Sequence, residues 1–157
     1  MKNPESIDEF LAFRIYHLGK MAAQGVGIML KREQGITRRD WKIIAFVVRH
    51  PNMSLSELAE AAQLETELAS RGVAKLVEAG IIVKSRLPTN KRLLVLSLTP
   101  AGRDLYEQTY QATKRFNAAL AECLSDKEAE LLDHLLKKLG ERAEQLTQRE
   151  LQKSGSN

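Results

Sequence analysis

The chain has 157 residues and a mass of 17.6 kDa, which fits one compact domain or one domain with an oligomerisation arm. Its composition, 43% apolar and 28% charged, excludes a disordered tail, and no window reaches the roughly 18 uncharged apolar residues of a membrane span. The single cysteine, Cys123, excludes an intrachain disulfide framework and a multi-cysteine zinc site. The N-terminus has no signal-peptide pattern, so we expect a cytoplasmic protein.

The basic excess lies in the middle of the chain. Residues 37–100 hold ten Lys and Arg against six Asp and Glu, whereas residues 1–36 hold five against four and residues 101–157 nine against ten. The densest cluster contains no acid and comprises Lys84, Arg86, Lys91 and Arg92. A basic patch between near-neutral flanks predicts a surface for a polyanion.

The first part of the chain predicts three helices. Apolar residues from Ile7 onward recur at steps of four and three, which predicts one long amphipathic helix ending near Gly35. Arg14 falls on its apolar stripe. A capping box at residues 37–40 opens a second helix, which Pro51 ends, and a second box at 54–57 opens a short third helix.

A fourth helix and a hairpin follow. The helix covers roughly 65–79, with Thr66 a better cap than Glu65, and Gly80 closes it in the left-handed conformation. Its expected apolar face is Leu68, Val73, Leu76 and Val77. The apolar period then changes to two, which predicts strands over 82–86 and 93–98 joined by a loop over 87–92.

The last part predicts two more helices. Thr99 caps the first of them, with Pro100 at its first helical position. Its apolar stripe is Leu105, Thr109, Ala112, Phe116, Leu120 and Cys123, so we expect Cys123 to pack in a core. A third capping box, at 125–128, opens the last helix, which carries a leucine stripe.

Motifs of catalysis are absent from the sequence. It contains no Gly-rich phosphate loop, no Gly-x-Ser-x-Gly elbow and no His-Glu-x-x-His. The histidines His17, His50 and His134 are widely spaced and have no cysteine nearby. We therefore expect no enzyme, no catalytic residue, no cofactor and no metal site.

The order helix, short helix, turn, helix, hairpin is that of a winged helix-turn-helix, whose second helix of the pair enters the major groove of DNA. An ordered set of short motifs runs through it: Trp41, Leu55-Ser56-Glu57-Leu58-Ala59, Ser70-Arg71, Lys75-Leu76, Gly80-Ile81-Ile82 and Leu98-Thr99-Pro100-Ala101-Gly102-Arg103. This set resembles the MarR family of bacterial transcription regulators, and the flanking helices, over 5–34 and 101–150, match that family in length and order.

The resemblance implies a mainly α fold with a small β-hairpin wing and a helical dimerisation region. Residues 1–35 and 101–157 would supply the dimerisation helices, and residues 36–100 the DNA-binding domain. It also implies a homodimeric repressor on a pseudo-palindromic operator, with two recognition helices about 34 Å apart and a cytoplasmic protein held at the nucleoid through its operator. Leucine-striped helices outside a small winged domain independently favour a dimer.

The expected DNA contacts lie on the fourth helix and the wing. They are Thr66, Glu67, Ser70, Arg71, Lys75, Arg86, Asn90, Lys91 and Arg92. The family wing usually has an Asp two residues before its Arg, where this chain has Asn90; the amide oxygen still accepts a hydrogen bond. Glu67 either repels phosphate or accepts from a cytosine amino group.

A second expected site binds a small effector that releases the DNA, as in many relatives. Arg14 on an apolar seam is either a structural or snorkelling residue or an anion-binding one. The expected set, in a cleft between the dimer helices and the winged domain, is Arg14, His17, Met29, Trp41, Arg49 and His50. Such a pocket suits a small aromatic carboxylate, for example a hydroxybenzoate or a hydroxypyridine carboxylate.

Two other functions remain open on the sequence. One is a winged helix used for protein–protein contacts, with an incidental basic wing. The other is a MarR-like regulator that senses oxidation through Cys123 or a metal through its histidines. DNA binding through several Lys and Arg contacts weakens steeply with salt, which distinguishes it from an apolar protein interface.

Overall fold

A computed structural model describes residues 3–87 and 89–155, without the side chain of Lys91. A short 3-10 turn, Ile7–Glu9, precedes the helices and strands in this order: α1 (Leu11–Gln34), α2 (Arg38–Arg49), α3 (Leu55–Ala61), α4 (Thr66–Glu78), β1 (Ile82–Leu87), β2 (Asn90–Leu98), α5 (Pro100–Ala121) and α6 (Asp126–Ser154). This confirms the predicted fold class, a mainly α chain with one antiparallel hairpin. None of the helices in these two ranges is long and apolar enough to cross a membrane.

The chain forms two compact units, residues 1–116 and 117–157. The core of the first unit draws fully buried side chains from every helix of the winged domain and from the hairpin, among them Leu30, Ile43, Ile44, Leu58, Val73, Ile82 and Leu96. The second unit consists of the end of α5, a turn and α6. No residue of α6 is buried.

Three helix starts lie where their capping boxes predict. In each, the hydroxyl of the cap residue accepts from the backbone N–H three residues on, and the carboxylate there accepts from the cap N–H. The pairs are Thr37 with Asp40, Ser54 with Glu57, and Ser125 with Glu128. At α5, Thr99 Oγ1 accepts from the Gly102 N–H at 3.0 Å, as predicted.

Thr99 also closes the base of the hairpin. Its hydroxyl donates to the carbonyl of Gly80 at 2.6 Å, and its backbone N–H donates to the carbonyl of Ile81 at 3.0 Å. The chain therefore leaves the end of α4, runs through both strands and returns to the same point. Three residues before Thr99, on β2, the Leu96 N–H donates to the Met53 carbonyl at 3.0 Å. This bond joins the hairpin to the segment before α3.

The predicted first helix is interrupted. Phe10 is extended, with ψ 128°, so Ile7–Glu9 forms a separate 3-10 turn and α1 begins only at Leu11. An apolar stripe with the helical period continues across such a break, because one extended residue changes the spacing too little to be seen. Gly35 ends α1 in the left-handed conformation, with φ 70°, as expected.

The wing is longer in strand than predicted. The antiparallel register runs from Ile82 opposite Leu98 to Arg86 opposite Leu94, and after an irregularity Leu87 lies opposite Asn90. Asn90, Lys91 and Arg92 therefore belong to β2 and not to a loop. Hydrogen bonding between the strands continues beyond the residues whose apolar alternation gave the prediction.

Two apolar predictions were wrong in detail. Cys123 is exposed and lies in the turn after α5, because α5 ends at Ala121 and the Ser125 cap starts α6. On α4, Val77 is exposed and Leu68 only half-buried. The small residues Ala69 and Gly72 are buried instead. At Gly72, α4 lies so close to Ile43 of α2 that a Cβ would overlap the Ile43 side chain.

Candidate nucleic-acid interface

One face of α4 is free of the core. The opposite face packs against the core through its buried residues, which are Ala69, Gly72, Val73 and Leu76. Several residues predicted to contact DNA lie on the exposed side, near the start of the helix: Thr66, Glu67 and Arg71 are exposed, and Ser70 is half-buried. This is the end of a recognition helix that meets base edges in a winged helix-turn-helix.

Arg71 forms an ion pair with a side chain of the same helix. Its guanidinium lies 3.5 Å from Glu67 Oε1, one turn earlier, and both side chains are more than 60% exposed. Exposed pairs of this kind contribute about 0–1 kcal/mol. The predicted cap residue of α4, Thr66, is wrong: Thr66 is the first helical residue and Glu65 occupies the cap position. Glu65 makes no side-chain hydrogen bond to the helix, so the start of α4 is weakly capped. The backbone N–H groups of the first turn therefore have no side-chain cap.

Lys75, also predicted to contact DNA, has a buried partner. Its Nζ lies 2.6 Å from Asp40 Oδ2 on α2, and the Asp40 side chain is only 3% exposed. The same oxygen accepts from the Thr37 N–H at 2.9 Å. Burial acts to raise the pKa of Asp40, but the hydrogen bonds from Lys75 and Thr37 outweigh it and hold the pKa below its usual value.

The wing presents an exposed basic edge. Arg86 on β1 and Arg92 on β2 are exposed, and the predicted Lys91 side chain lies outside the described residues. Asn90 Oδ1 accepts from the Arg92 backbone N–H at 3.2 Å. The asparagine at this wing position therefore still braces the backbone at Arg92, through a neutral acceptor.

The sequence prediction assigned no role to a basic cluster at the start of α2. Arg38, Arg39 and Lys42 line a cavity of about 410 Å³ together with Thr37 and Leu64, which lies just before α4. None of these three cations forms an ion pair within residues 3–87 and 89–155. The sequence signal for this cluster was three basic residues among the first five positions of a capped helix.

The six predicted effector residues lie in different surroundings. Arg14 and His17 are on the exposed first half of α1, whereas Met29 is buried in the core. Trp41 is half-buried and stacks on Tyr106 of α5, with ring centroids 5.5 Å apart. The remaining two are exposed at the end of α2: Arg49, and His50, whose ring stacks on Phe46.

A cleft of about 390 Å³ lies between the end of α2, β2 and the start of α5. Its volume is within the range of small-molecule sites. Its lining is Val47, Val48, Pro51, Leu96, Ser97, Leu98, Arg103, Asp104, Tyr106 and Glu107. None of the six predicted effector residues lines it, although Tyr106 connects it to Trp41. Among the residues described, no group of three or more His, Cys, Asp or Glu is placed to hold a metal ion.

Known proteins share this sequence pattern. A sequence profile for the MarR family matches residues 34–93. BilQ, an HTH-type transcriptional regulator of Clostridium symbiosum, is 28% identical over 113 residues, which are 72% of this chain and 78% of BilQ. A regulatory protein named for the hcr operon of Thauera aromatica is 31% identical over 106 residues, which are 68% of this chain and 64% of that protein.

Solved structures share the fold. A MarR/EmrR family transcriptional regulator from Acinetobacter sp. ADP1 superposes with a TM-score of 0.77 at 26% identity, over 89% of this chain and 99% of that one. A MarR mutant from E. coli in complex with operator DNA gives 0.72 at 22% identity, over 87% and 99%. CouR from Rhodococcus jostii, bound to p-coumaroyl-CoA, gives 0.74 at 17% identity, over 87% and 95%.

The profile covers the segment that carries the capped α2, the recognition helix and most of the wing, and the relatives extend the likeness to the flanking helices. The chain therefore belongs to the MarR family of transcriptional regulators.

Proposed function

We propose that the chain is a homodimeric repressor that binds a pseudo-palindromic operator and releases it when a small aromatic acid binds. The observation that carries the DNA part is the outer face of α4, where Thr66 and Arg71 are exposed and Ser70 is half-buried, on a domain whose wing exposes Arg86 and Arg92. The major groove admits an α-helix, and hydroxyl and guanidinium groups on it can hydrogen-bond to base edges. A basic wing suits phosphates or a narrow minor groove.

The dimer part is supported by uncovered apolar side chains. Phe10, just before α1, and Ile15, Tyr16, Leu18 and Met21 in the first half of α1 are each more than 40% exposed. On α6, the exposed leucines are Leu131, Leu132, Leu135, Leu136, Leu146 and Leu151. An apolar surface of this kind, on either helix, marks a protein interface. A second copy of the chain covers it and supplies the second recognition helix that a palindromic site requires.

Fluorescence anisotropy across a salt series tests the DNA part. The probe is a duplex from upstream of the chain's own gene, with a random-sequence duplex of equal length as the comparison. We expect preference for the first duplex and a steep salt dependence. We expect Arg92→Ala to lower the salt slope by about 1.8, because the dimer loses one phosphate contact on each of its two wings. Lys127→Ala, an exposed lysine on α6, is the matched control and should leave the slope unchanged.

Absence of preference over random DNA, with Arg92→Ala equal to wild type, would contradict the DNA function and favour a protein partner for the winged domain. Repression is tested separately by transcription in vitro from the same upstream region. We expect the protein to lower transcript yield in proportion to operator occupancy. A rise in yield would identify an activator.

The effector part rests on Arg14 and Trp41. Arg14 is exposed and forms no ion pair in the described part of the chain, so its charge is available to a carboxylate. Trp41 is the single tryptophan of the chain, so intrinsic tryptophan fluorescence reports on the immediate surroundings of Trp41. We propose that these two residues, with His17, Met29, Arg49 and His50, bind the aromatic acid.

Titration with 4-hydroxybenzoate and with 6-hydroxynicotinate tests the effector part. We expect Trp41 fluorescence to change at the concentration that releases DNA, and Arg14→Gln to weaken both effects together. Lys20→Gln, another exposed cation on α1, should leave both unchanged. Release that depends on Cys123→Ser or on a chelator, with Arg14→Gln equal to wild type, would instead identify an oxidation or metal sensor.

A further inference from the structure

The buried carboxylate of Asp40 joins two helices that are far apart in sequence. Asp40 lies in the first turn of α2, and its Oδ2 accepts from Lys75 Nζ on α4 at 2.6 Å and from the Thr37 N–H at 2.9 Å. The carboxylate is 3% exposed, whereas the Lys75 side chain is 58% exposed. The anion is therefore held inside the domain, and its cation reaches inward from the surface of the recognition helix.

The energetics make this contact hard to break. A carboxylate taken out of water needs a partner for its charge, and removing the partner leaves an uncompensated buried anion, which costs more than the pair itself contributes. A DNA phosphate that drew Lys75 away would leave Asp40 as a buried carboxylate without a cation. The same argument does not apply to Arg71, one turn earlier, because its partner Glu67 is in water.

A second contact fixes the same two helices one turn away. A Cβ on Gly72 would overlap Ile43 Cδ1 of α2, and Arg39 Cδ would lie 3.8 Å from it. α2 and α4 therefore touch at Gly72 and are linked by charge at Lys75. Two attachments three residues apart on one face fix both the rotation of α4 about its axis and its translation along it.

The rotation of α4 determines where its exposed side chains point. Thr66, Ser70 and Arg71 lie on the side away from the buried face, and readout of base edges requires side chains held within about 0.5 Å and 10–20° of the productive geometry. Loss of one attachment loosens that angle without removing any group that faces DNA. The expected result is a loss of discrimination between sequences, with phosphate contacts retained.

We propose that Asp40 is a positioning residue for operator recognition, which holds α4 in register through Lys75, and that Lys75 serves this link and makes no phosphate contact. The inference rests on the proposed DNA function and assigns to Lys75 a role different from the one predicted from the sequence. Asp40 itself touches no DNA, because it is buried.

The test compares three variants of the full-length protein in the anisotropy salt series. Asp40→Asn keeps the size of the side chain and removes its charge. Lys75→Met keeps the stem and removes the ammonium. The double variant Asp40→Asn/Lys75→Met replaces the ion pair by neutral groups, leaves no unpaired buried charge and so keeps the fold intact. Arg71→Met is the matched control on the same helix.

We expect Asp40→Asn and Lys75→Met each to weaken operator binding by roughly 5- to 100-fold, the range of one good base contact. We also expect the affinity for random DNA and the salt slope to stay at wild-type values. The double variant should be no weaker than either single variant, because both remove the same link. Arg71→Met should lower the salt slope by about 1.8, one phosphate contact in each protomer of the dimer. Circular dichroism at the binding temperature checks that each variant is folded.

A salt slope lowered by about two units in Lys75→Met, one phosphate contact per protomer, with operator affinity unchanged in Asp40→Asn, would overturn the inference and make Lys75 a phosphate contact. Wild-type protein without any operator preference would overturn the proposed function and this inference together. Should either single variant fail to fold, operator affinity of the folded double variant decides: a wild-type value would overturn the inference, and the expected loss would support it.

Discussion

Two ion pairs on the recognition helix differ in their surroundings and therefore in their effects. Arg71 and Glu67 meet in water, where the pair contributes little and both side chains remain available to other partners. Lys75 and Asp40 meet at the edge of the core, where the anion has no water to replace its cation. At the scale of single residues, we therefore expect the exposed pair to affect DNA binding directly and the half-buried pair to hold α4 against α2.

The exposed pair gives a prediction for DNA affinity. Glu67→Gln releases Arg71 and removes a negative charge from the face that meets phosphates. Operator affinity in the anisotropy assay should rise by up to about fivefold, which corresponds to the roughly 1 kcal/mol upper range of an exposed pair. Glu78→Gln, at the other end of α4 and also exposed, should change affinity less. A loss of operator affinity with a gain on random DNA would show that Glu67 accepts from a cytosine amino group.

The buried pair gives a prediction for acid stability. Because the pKa of Asp40 is lower in the folded than in the unfolded chain, the folded state binds fewer protons, and stability falls as pH falls. The contribution of Asp40 is complete above its unfolded pKa of about 3.9 and is lost as the pH drops through the lower, folded pKa. The stability difference between wild type and Asp40→Asn in urea should therefore shrink below about pH 4. A constant difference from pH 7 to pH 3 would contradict it.

At the scale of elements, sequence signals located helix starts well and helix partners poorly. The capping boxes at Thr37, Ser54 and Ser125 are local patterns of four residues, so a single sequence contains all the information that sets them. The break at Phe10 and the extra strand residues at Asn90 depend on contacts with other parts of the chain. Local patterns do not contain those contacts.

The start of α5 gives the prediction at this scale. A Cβ on Gly102 would overlap the carbonyl oxygen of Ile81, a backbone atom that cannot rotate away. Gly102→Ala should therefore lower the free energy of unfolding by about 1–3 kcal/mol, in spite of the better helix propensity of alanine. Gly19→Ala on α1, where nothing lies within 4 Å, is the control and should be neutral or stabilising. Thermal unfolding measures both, and equal melting temperatures would contradict the close approach.

At the scale of the whole molecule, the fold and family were predictable and the sites only in outline. The order of elements and the short motifs suffice for the winged helix-turn-helix. The exposed positions of α4 follow from its helical period. The partner of Lys75 does not, because Asp40 lies 35 residues earlier and no periodic pattern links the two. The basic residues Arg38, Arg39 and Lys42 are visible in the sequence, but only the structure shows that they line one cavity with Leu64.

The apolar faces give the prediction for the assembly. Light scattering should give a mass of twice 17.6 kDa. The pair Leu132→Glu and Leu136→Glu should shift it towards the single-chain mass, because both leucines are more than 40% exposed in the isolated chain and charges in an apolar interface are unpaired. Lys127→Glu at the start of α6 is the matched control. A wild-type mass of 17.6 kDa at micromolar concentration would contradict the dimer.

The hydrogen bonds of Thr99 have an evolutionary consequence. The chain leaves Ile81 at the start of the hairpin and is hydrogen-bonded to it again at Thr99, so the two ends of the hairpin are held together. Residues farther from this base, such as Ser85, Arg86 and Leu94, are exposed. Insertions or deletions at its tip would change neither the end of α4 nor the start of α5, and lengthening such a loop costs little entropy. Descendants of this chain are therefore free to vary the reach of the wing while the rest of the fold stays the same.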